Sequence, residues 1–139
     1  MSSRIASVVA FSVALALGSV STLYGQQSVS APLLSKDLPD FAGKEVVMST
    51  VTYPAGVASA PHRHDAHTFV YVLEGTVVMQ VEGGQPMTLG PGQTFYESPT
   101  DIHAVSANAS KTKPAKFLVF IVKDKGAPVT REVARGGTQ

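Results

Sequence analysis

Cysteine is absent from the 139 residues, which excludes a disulfide and a lipidated cysteine alike. Charge of one sign is also lacking: 11 Lys+Arg stand against 10 Asp+Glu, for a formal net charge of +1. So even a balance argues against nucleic acid or an anionic membrane surface as the main partner. Basic residues gather only at Lys111, Lys113 and Lys116, which reads as a solvated turn. Beyond the first 25 residues no segment sustains a helical period, and no internal repeat or second domain is visible.

What is present begins with a segment unlike the rest. Met1-Ser2-Ser3-Arg4 supplies one positive charge, Ile5 to Leu17 is apolar and small, and Gly18 to Gln27 turns small and polar. That is the order of a secretory signal peptide over residues 1–25, and it sets the expectation of a periplasmic or secreted protein beginning near Ser19 or Gln26. The uncharged run Ile5–Tyr24 is long enough to span a bilayer, so an uncleaved anchor is the alternative. Its serines and Gly18, and the want of a basic stop signal, favour cleavage, which leaves no integral membrane domain. The remainder suffices for one modest domain.

From Gln26 to Asp40 the chain is polar, holds Pro32 and Pro39, and has no period; residues 26–44 read as a linker or arm. Short β-rich runs follow at Glu45–Tyr53, Thr68–Leu73, Thr76–Glu82, Met87–Leu89, Thr94–Glu97, Ile102–Ser106 and Lys116–Lys123. Glycine- and proline-bearing turns separate them, among them Glu74-Gly75, Gly83-Gly84-Gln85-Pro86 and Gly90-Pro91-Gly92. Close, regular turn spacing of this kind predicts an all-β sandwich or barrel over residues 45–123. Residues 124–139 read as a polar tail with one short strand at Val129–Val133.

All four histidines fall in two places, His62, His64 and His67 in one run and His103 alone. Neutral imidazole is the commonest metal ligand near neutral pH, so the cluster reads first as a metal site. On a strand, His62 and His64 share a face with Cα atoms roughly 6.7 Å apart, close enough to lean onto one ion. An unbroken strand would turn residues 66 and 68 inward and His67 outward. His67 joins the site only if Asp65-Ala66 forms a bulge that resets the alternation; otherwise it is a rim or supporting residue. A lone histidine such as His103 is more often a surface or hydrogen-bonded residue than a ligand. Glu97 and Tyr96 are the candidates for proton handling, against the plainer reading of both as ordinary strand residues.

Gly56-x5-His62-x-His64 with Thr68-Phe-Val-Tyr-Val-Leu-Glu74-Gly75 resembles the first motif of the cupin superfamily, and Gly92 through Ser98-Pro99-Thr100 to His103 and Asn108 resembles the second. The resemblance implies an antiparallel β-barrel or double-stranded β-helix, a jelly roll, with His62, His64 and His103 converging on a metal inside it. The chain departs from the pattern at Thr68, which occupies the position of the family's glutamate, and at Ser98 and Thr100, which replace a proline and a glycine. Either His67 makes up the missing ligand or three histidines leave more positions open. An ion held by neutral imidazoles alone keeps its full charge and is the stronger Lewis acid.

Two classes of function follow. One is a metal-dependent enzyme, for which the resemblance points to a dioxygenase acting on a small diketone- or phenol-like substrate. The other is a cupin that binds a metal and a small ligand for sensing, storage or scavenging without turnover. Val70, Val72, Val77, Met79 and Phe120 are expected to line the barrel or to form plain core. The expected metal is Fe, Mn, Ni or Zn, which imidazole ligation alone does not rank. Exposed edge strands favour a homodimer.

Overall fold

The computed structural model describes residues 26–133; the expected signal peptide, residues 1–25, and the last residues of the tail lie outside them. The described chain holds ten strands and no helix. In order these are β1 (Val29–Asp37), β2 (Lys44–Tyr53), β3 (His62–Arg63), β4 (His67–Glu74), β5 (Val77–Val81), β6 (Met87–Leu89), β7 (Thr94–Glu97), β8 (His103–Asn108), β9 (Ala115–Asp124) and β10 (Arg131–Glu132). The seven expected strands all form, with ends displaced by two residues at most.

Two five-stranded antiparallel sheets result, one ordered β1-β2-β9-β4-β7 and the other β10-β3-β8-β5-β6. They face one another as a jelly roll and share no strand, so the expected barrel is not closed by hydrogen bonds. The period of two in the sequence sets the faces. On β9, Ala115, Phe117, Val119, Ile121 and Lys123 are the buried set; on β4, Thr68, Val70 and Val72 are buried. Val77, Met79 and Leu89 meet them from the opposite sheet. Phe120, expected inside, lies on the outer face against Phe69; Phe117, three residues back and of the opposite parity, is the inward phenylalanine.

The segment expected as an arm carries β1, which pairs along β2 from Val29↔Thr52 to Asp37↔Glu45. Every residue of β1 is exposed, which explains why no buried-face alternation marks it in the sequence. At the other end of the chain β10 pairs with β3. Gly75 closes the β4–β5 turn at φ 73°, where a Cβ would lie 2.6 Å from the Pro114 carbonyl oxygen; only glycine meets both conditions. Asn108, of the second cupin-like motif, donates from Nδ2 to the carbonyls of Tyr53, Pro54 and Lys113 and accepts the Ser110 N–H. It ties the β2–β3 and β8–β9 connections together at one end of the sandwich.

Candidate metal centre

His62 opens β3 directly opposite His103 of β8. Their ring centroids are 5.0 Å apart, and the ring centroid of His64 is likewise 5.0 Å from that of His62. One ligand atom from each of the three lies within 4.8 Å of those of the other two. Two separated parts of the sequence thus meet through strand register alone.

The outward-facing nitrogens of the pair in β3 and its extension are fixed by backbone. His62 Nδ1–H donates to the Ala60 carbonyl at 2.8 Å, and His64 Nδ1–H donates to the Val129 carbonyl at 2.7 Å. A carbonyl only accepts, so each Nδ1 carries the proton and each neutral ring presents a bare Nε2 lone pair to the interior. This is the tautomer a metal ligand needs. Burial pushes the His62 pKa below its usual value, opposed by the Ala60 hydrogen bond and aided by the neighbouring His103 and His64. His103 stacks on Phe95 at 5.6 Å, is buried, and has no hydrogen-bond partner at either nitrogen. Unpartnered buried nitrogens beside two pre-oriented imidazoles fit a metal ion.

The structure does not bring His67 into this group. Asp65 takes φ 50°, held between Arg63 and Arg131, and its corner carries the chain from one sheet to the other between β3 and β4. The alternation survives the corner: Ala66 and Thr68 face in, and His67 is exposed, its Nδ1 hydrogen-bonded to the Tyr96 hydroxyl at 2.8 Å. Tyr96 therefore also faces out, and its neighbour Glu97 faces in. Glu97 Oε1 lies 3.1 Å from His103 Nδ1 and Oε2 lies 4.0 Å from His64 Nε2. Neither approach has hydrogen-bond geometry, and both carboxylate oxygens remain unpaired. Glu97, one of the two candidates for proton handling, thus stands inside, beside His64 and His103, while Tyr96 stands outside.

The three imidazoles and Glu97 form part of the wall of a cavity of about 280 Å3. Val51, Val70, Phe117, Val119 and Ile121 supply an apolar lining. The buried hydroxyls of Ser59 and Thr68 line it without a partner, and Tyr53 bonds Ser106 at 2.8 Å. Both ends of the described residues contribute: Ser28 and Ser30 from the first, Val129, Thr130 and Glu132 from the last. Sequence reasoning missed these end residues, because a backbone carbonyl such as that of Val129 leaves no residue-type signal. Before His103 the turn is closed without the family's proline and glycine: Asp101 Oδ2 accepts the Ser98 N–H at 2.7 Å, and the Asp101 N–H donates to the Ser98 carbonyl.

A sequence model of the Cupin domain family matches residues 49–121, more than half of the chain and all of the strands that carry the histidines. The chain belongs to that family. Among curated proteins none matches this cupin. Of solved structures, the DMSP lyase DddQ from Ruegeria pomeroyi superposes with TM-score 0.65 at 21% identity, over 81% of this chain and 54% of the lyase. The chain thus spans about half the length of that enzyme. The polyketide cyclase RemF from Streptomyces resistomycificus gives TM-score 0.59 at 21% identity, over 81% of this chain and 75% of the cyclase. The cupin domain of an XRE family transcriptional regulator from Enterobacter cloacae gives 0.54 at 24%, over 69% and 96%. At these identities the likeness is one of fold.

Proposed function

We propose that this cupin is an exported metal-dependent enzyme that acts on a small oxygen-bearing organic molecule, with His62, His64 and His103 as ligands of a divalent transition metal, and that oxygen-dependent cleavage of a diketone- or phenol-like substrate is its reaction class. One observation carries the reading: two bare Nε2 atoms and an unpartnered third histidine converge at the wall of a small, largely apolar cavity. The bound ion would supply open positions for a substrate oxygen and for O2, both atoms of which enter the organic product. The chain's own residues set the rest. No lysine or arginine lines the cavity among the described residues, so an anionic substrate oxygen would find its cationic partner only in a metal held by His62, His64 and His103. The free Ser59 and Thr68 hydroxyls can hydrogen-bond a second oxygen of the substrate, and the valine, isoleucine and phenylalanine side chains hold its carbon skeleton and exclude water. A cavity of about 280 Å3 limits the substrate to sizes below those of drug-like ligands.

The same sparseness of polar groups is what supports the second reading, a cupin that holds metal and small ligand without turnover. Purified protein loaded with Fe(II) and offered diketones, catechols and flavonols in an oxygen electrode separates the two. Oxygen uptake that follows one substrate class and disappears in His62→Ala is the expected result. Ligand-dependent rise of the melting temperature without oxygen uptake from any compound would leave the binder.

A further inference from the structure

Glu97 is what the histidine triad leaves unexplained. It is 2% exposed, lines the cavity, and has no hydrogen-bond partner at either oxygen. A carboxylate taken out of water with nothing to donate to it is strongly unfavourable unless a cation sits against it. No lysine or arginine shares its cavity among the described residues. Its oxygens instead lie 3.1 Å from His103 Nδ1 and 4.0 Å from His64 Nε2. The two approaches are made by different oxygens, Oε1 beside His103 and Oε2 beside His64, so the carboxylate borders two of the three imidazoles and reaches an ion shared by all three by a change of its side-chain torsion.

Register gives a second, independent reason. Glu97 on β7 is the cross-strand partner of Thr68 on β4, so the two side chains leave the sheet on the same face. Thr68 stands where the cupin pattern carries its glutamate, is 0% exposed, and points an unpaired hydroxyl at the same space. The carboxylate that the chain lacks on one strand is present on the next strand over, one strand spacing away.

We propose that Glu97 is the fourth protein ligand of the metal, a carboxylate delivered from β7 to the place that the cupin pattern fills from β4. This rests on the reading of His62, His64 and His103 as a metal centre. One carboxylate among three neutral imidazoles lowers the net charge of a divalent centre by one and makes it a weaker Lewis acid than a site of histidines alone. It also leaves Thr68 free to bond a ligand rather than the ion.

Cobalt(II) serves as the probe, because its visible absorption reports the donor set. Wild-type protein, Glu97→Gln and the exchange Thr68→Glu/Glu97→Thr are freed of metal and titrated, with metal per chain and melting temperature followed alongside the spectrum. One Co(II) per wild-type chain is expected. In Glu97→Gln the affinity should fall by more than the 10- to 100-fold typical of a residue that only supports a ligand, with a changed absorption band. The exchange should recover affinity to within about tenfold of wild type, since the carboxylate again reaches the same space. Metal-free Glu97→Gln melting at or above the wild-type temperature shows that the loss is not misfolding, and its spectrum decides alone if the exchanged protein does not fold. Wild-type affinity and spectrum in Glu97→Gln would overturn the proposal. So would weakened affinity with an unchanged band and no recovery on exchange, which would make Glu97 a residue that orients His103. A wild-type chain that takes up no Co(II) is a separate failure, of the histidine centre itself, and the proposal goes with it.

Discussion

His67 and Thr68 are neighbours in the chain and face opposite ways, and the make-up of the centre turns on that difference. With its ring on the outer surface against Tyr96, His67 stands outside the group formed by His62, His64 and His103. We expect His67→Ala to keep its full metal content by elemental analysis, whereas His62→Ala, His64→Ala and His103→Ala each lose most of it. Gly75 makes a different kind of demand, since its positive φ and the Pro114 carbonyl leave no room for a methyl group. Gly75→Ala should cost more than about 2 kcal/mol, read as a lowered denaturant midpoint. At this scale much was legible in the sequence: residue type and spacing single out His62, His64 and His103, and strand parity states the condition under which His67 would be excluded. Glu97 was visible only as a titratable residue near a motif. Its place among the histidines depends on the Thr68↔Glu97 register, a pairing between strands that no local pattern encodes.

The elements that shape the cavity mouth are those with the weakest signal. β1 is exposed along its whole length and β10 is two residues long, so neither carries the alternation that a half-buried strand prints on its sequence. The approach to β10 is nonetheless anchored. Buried Lys123 Nζ binds the Glu45 carboxylate and donates to the Ala127 carbonyl at 2.6 Å, while the Gly126 N–H donates to Glu45 Oε1 at 3.0 Å. Two residues beyond Ala127, the Val129 carbonyl fixes His64. Lys123 and, after it, the Gly126 N–H hold the Glu45 carboxyl below its usual value of 4.5. A depressed carboxyl contributes stability above its unfolded pKa and loses it as the pH falls through the folded one. Glu45→Gln should therefore melt below wild type at neutral pH, and the gap should close as the pH is taken below about 4.5. A gap that stays constant through that range would assign the loss to packing. Measured at pH 7, the same variant should also bind metal more weakly, because the turn that carries Val129 to His64 is loosened.

At the scale of the whole molecule, the first and last described strands, β1 and β10, border the candidate site, and that has consequences for stability and for assembly. Metal that binds only the folded chain stabilises it by about 2.7 kcal/mol at 100 times the dissociation constant, so adding the ion should raise the melting temperature by on the order of 10 °C, and a chelator should reverse the rise. The outer face of the β1-β2-β9-β4-β7 sheet bears on assembly. There Phe69, Tyr71 and Tyr96 are each 45–48% exposed, with Phe120 packed on Phe69, and β7 ends the sheet with an unpaired edge. A contiguous aromatic face beside a free edge is unusual for a monomer. We propose that two copies meet across it about a two-fold axis, the arrangement in which one patch can serve both partners. Light scattering at micromolar concentration should then give twice the chain mass. Phe69→Glu, which puts a charge on the outer face and leaves the inner face of β4 untouched, should return the monomer with its metal content intact. Wild-type protein that runs as a monomer throughout this range would refute the pairing, and a Phe69→Glu variant that stays dimeric would move the interface to the β1 edge.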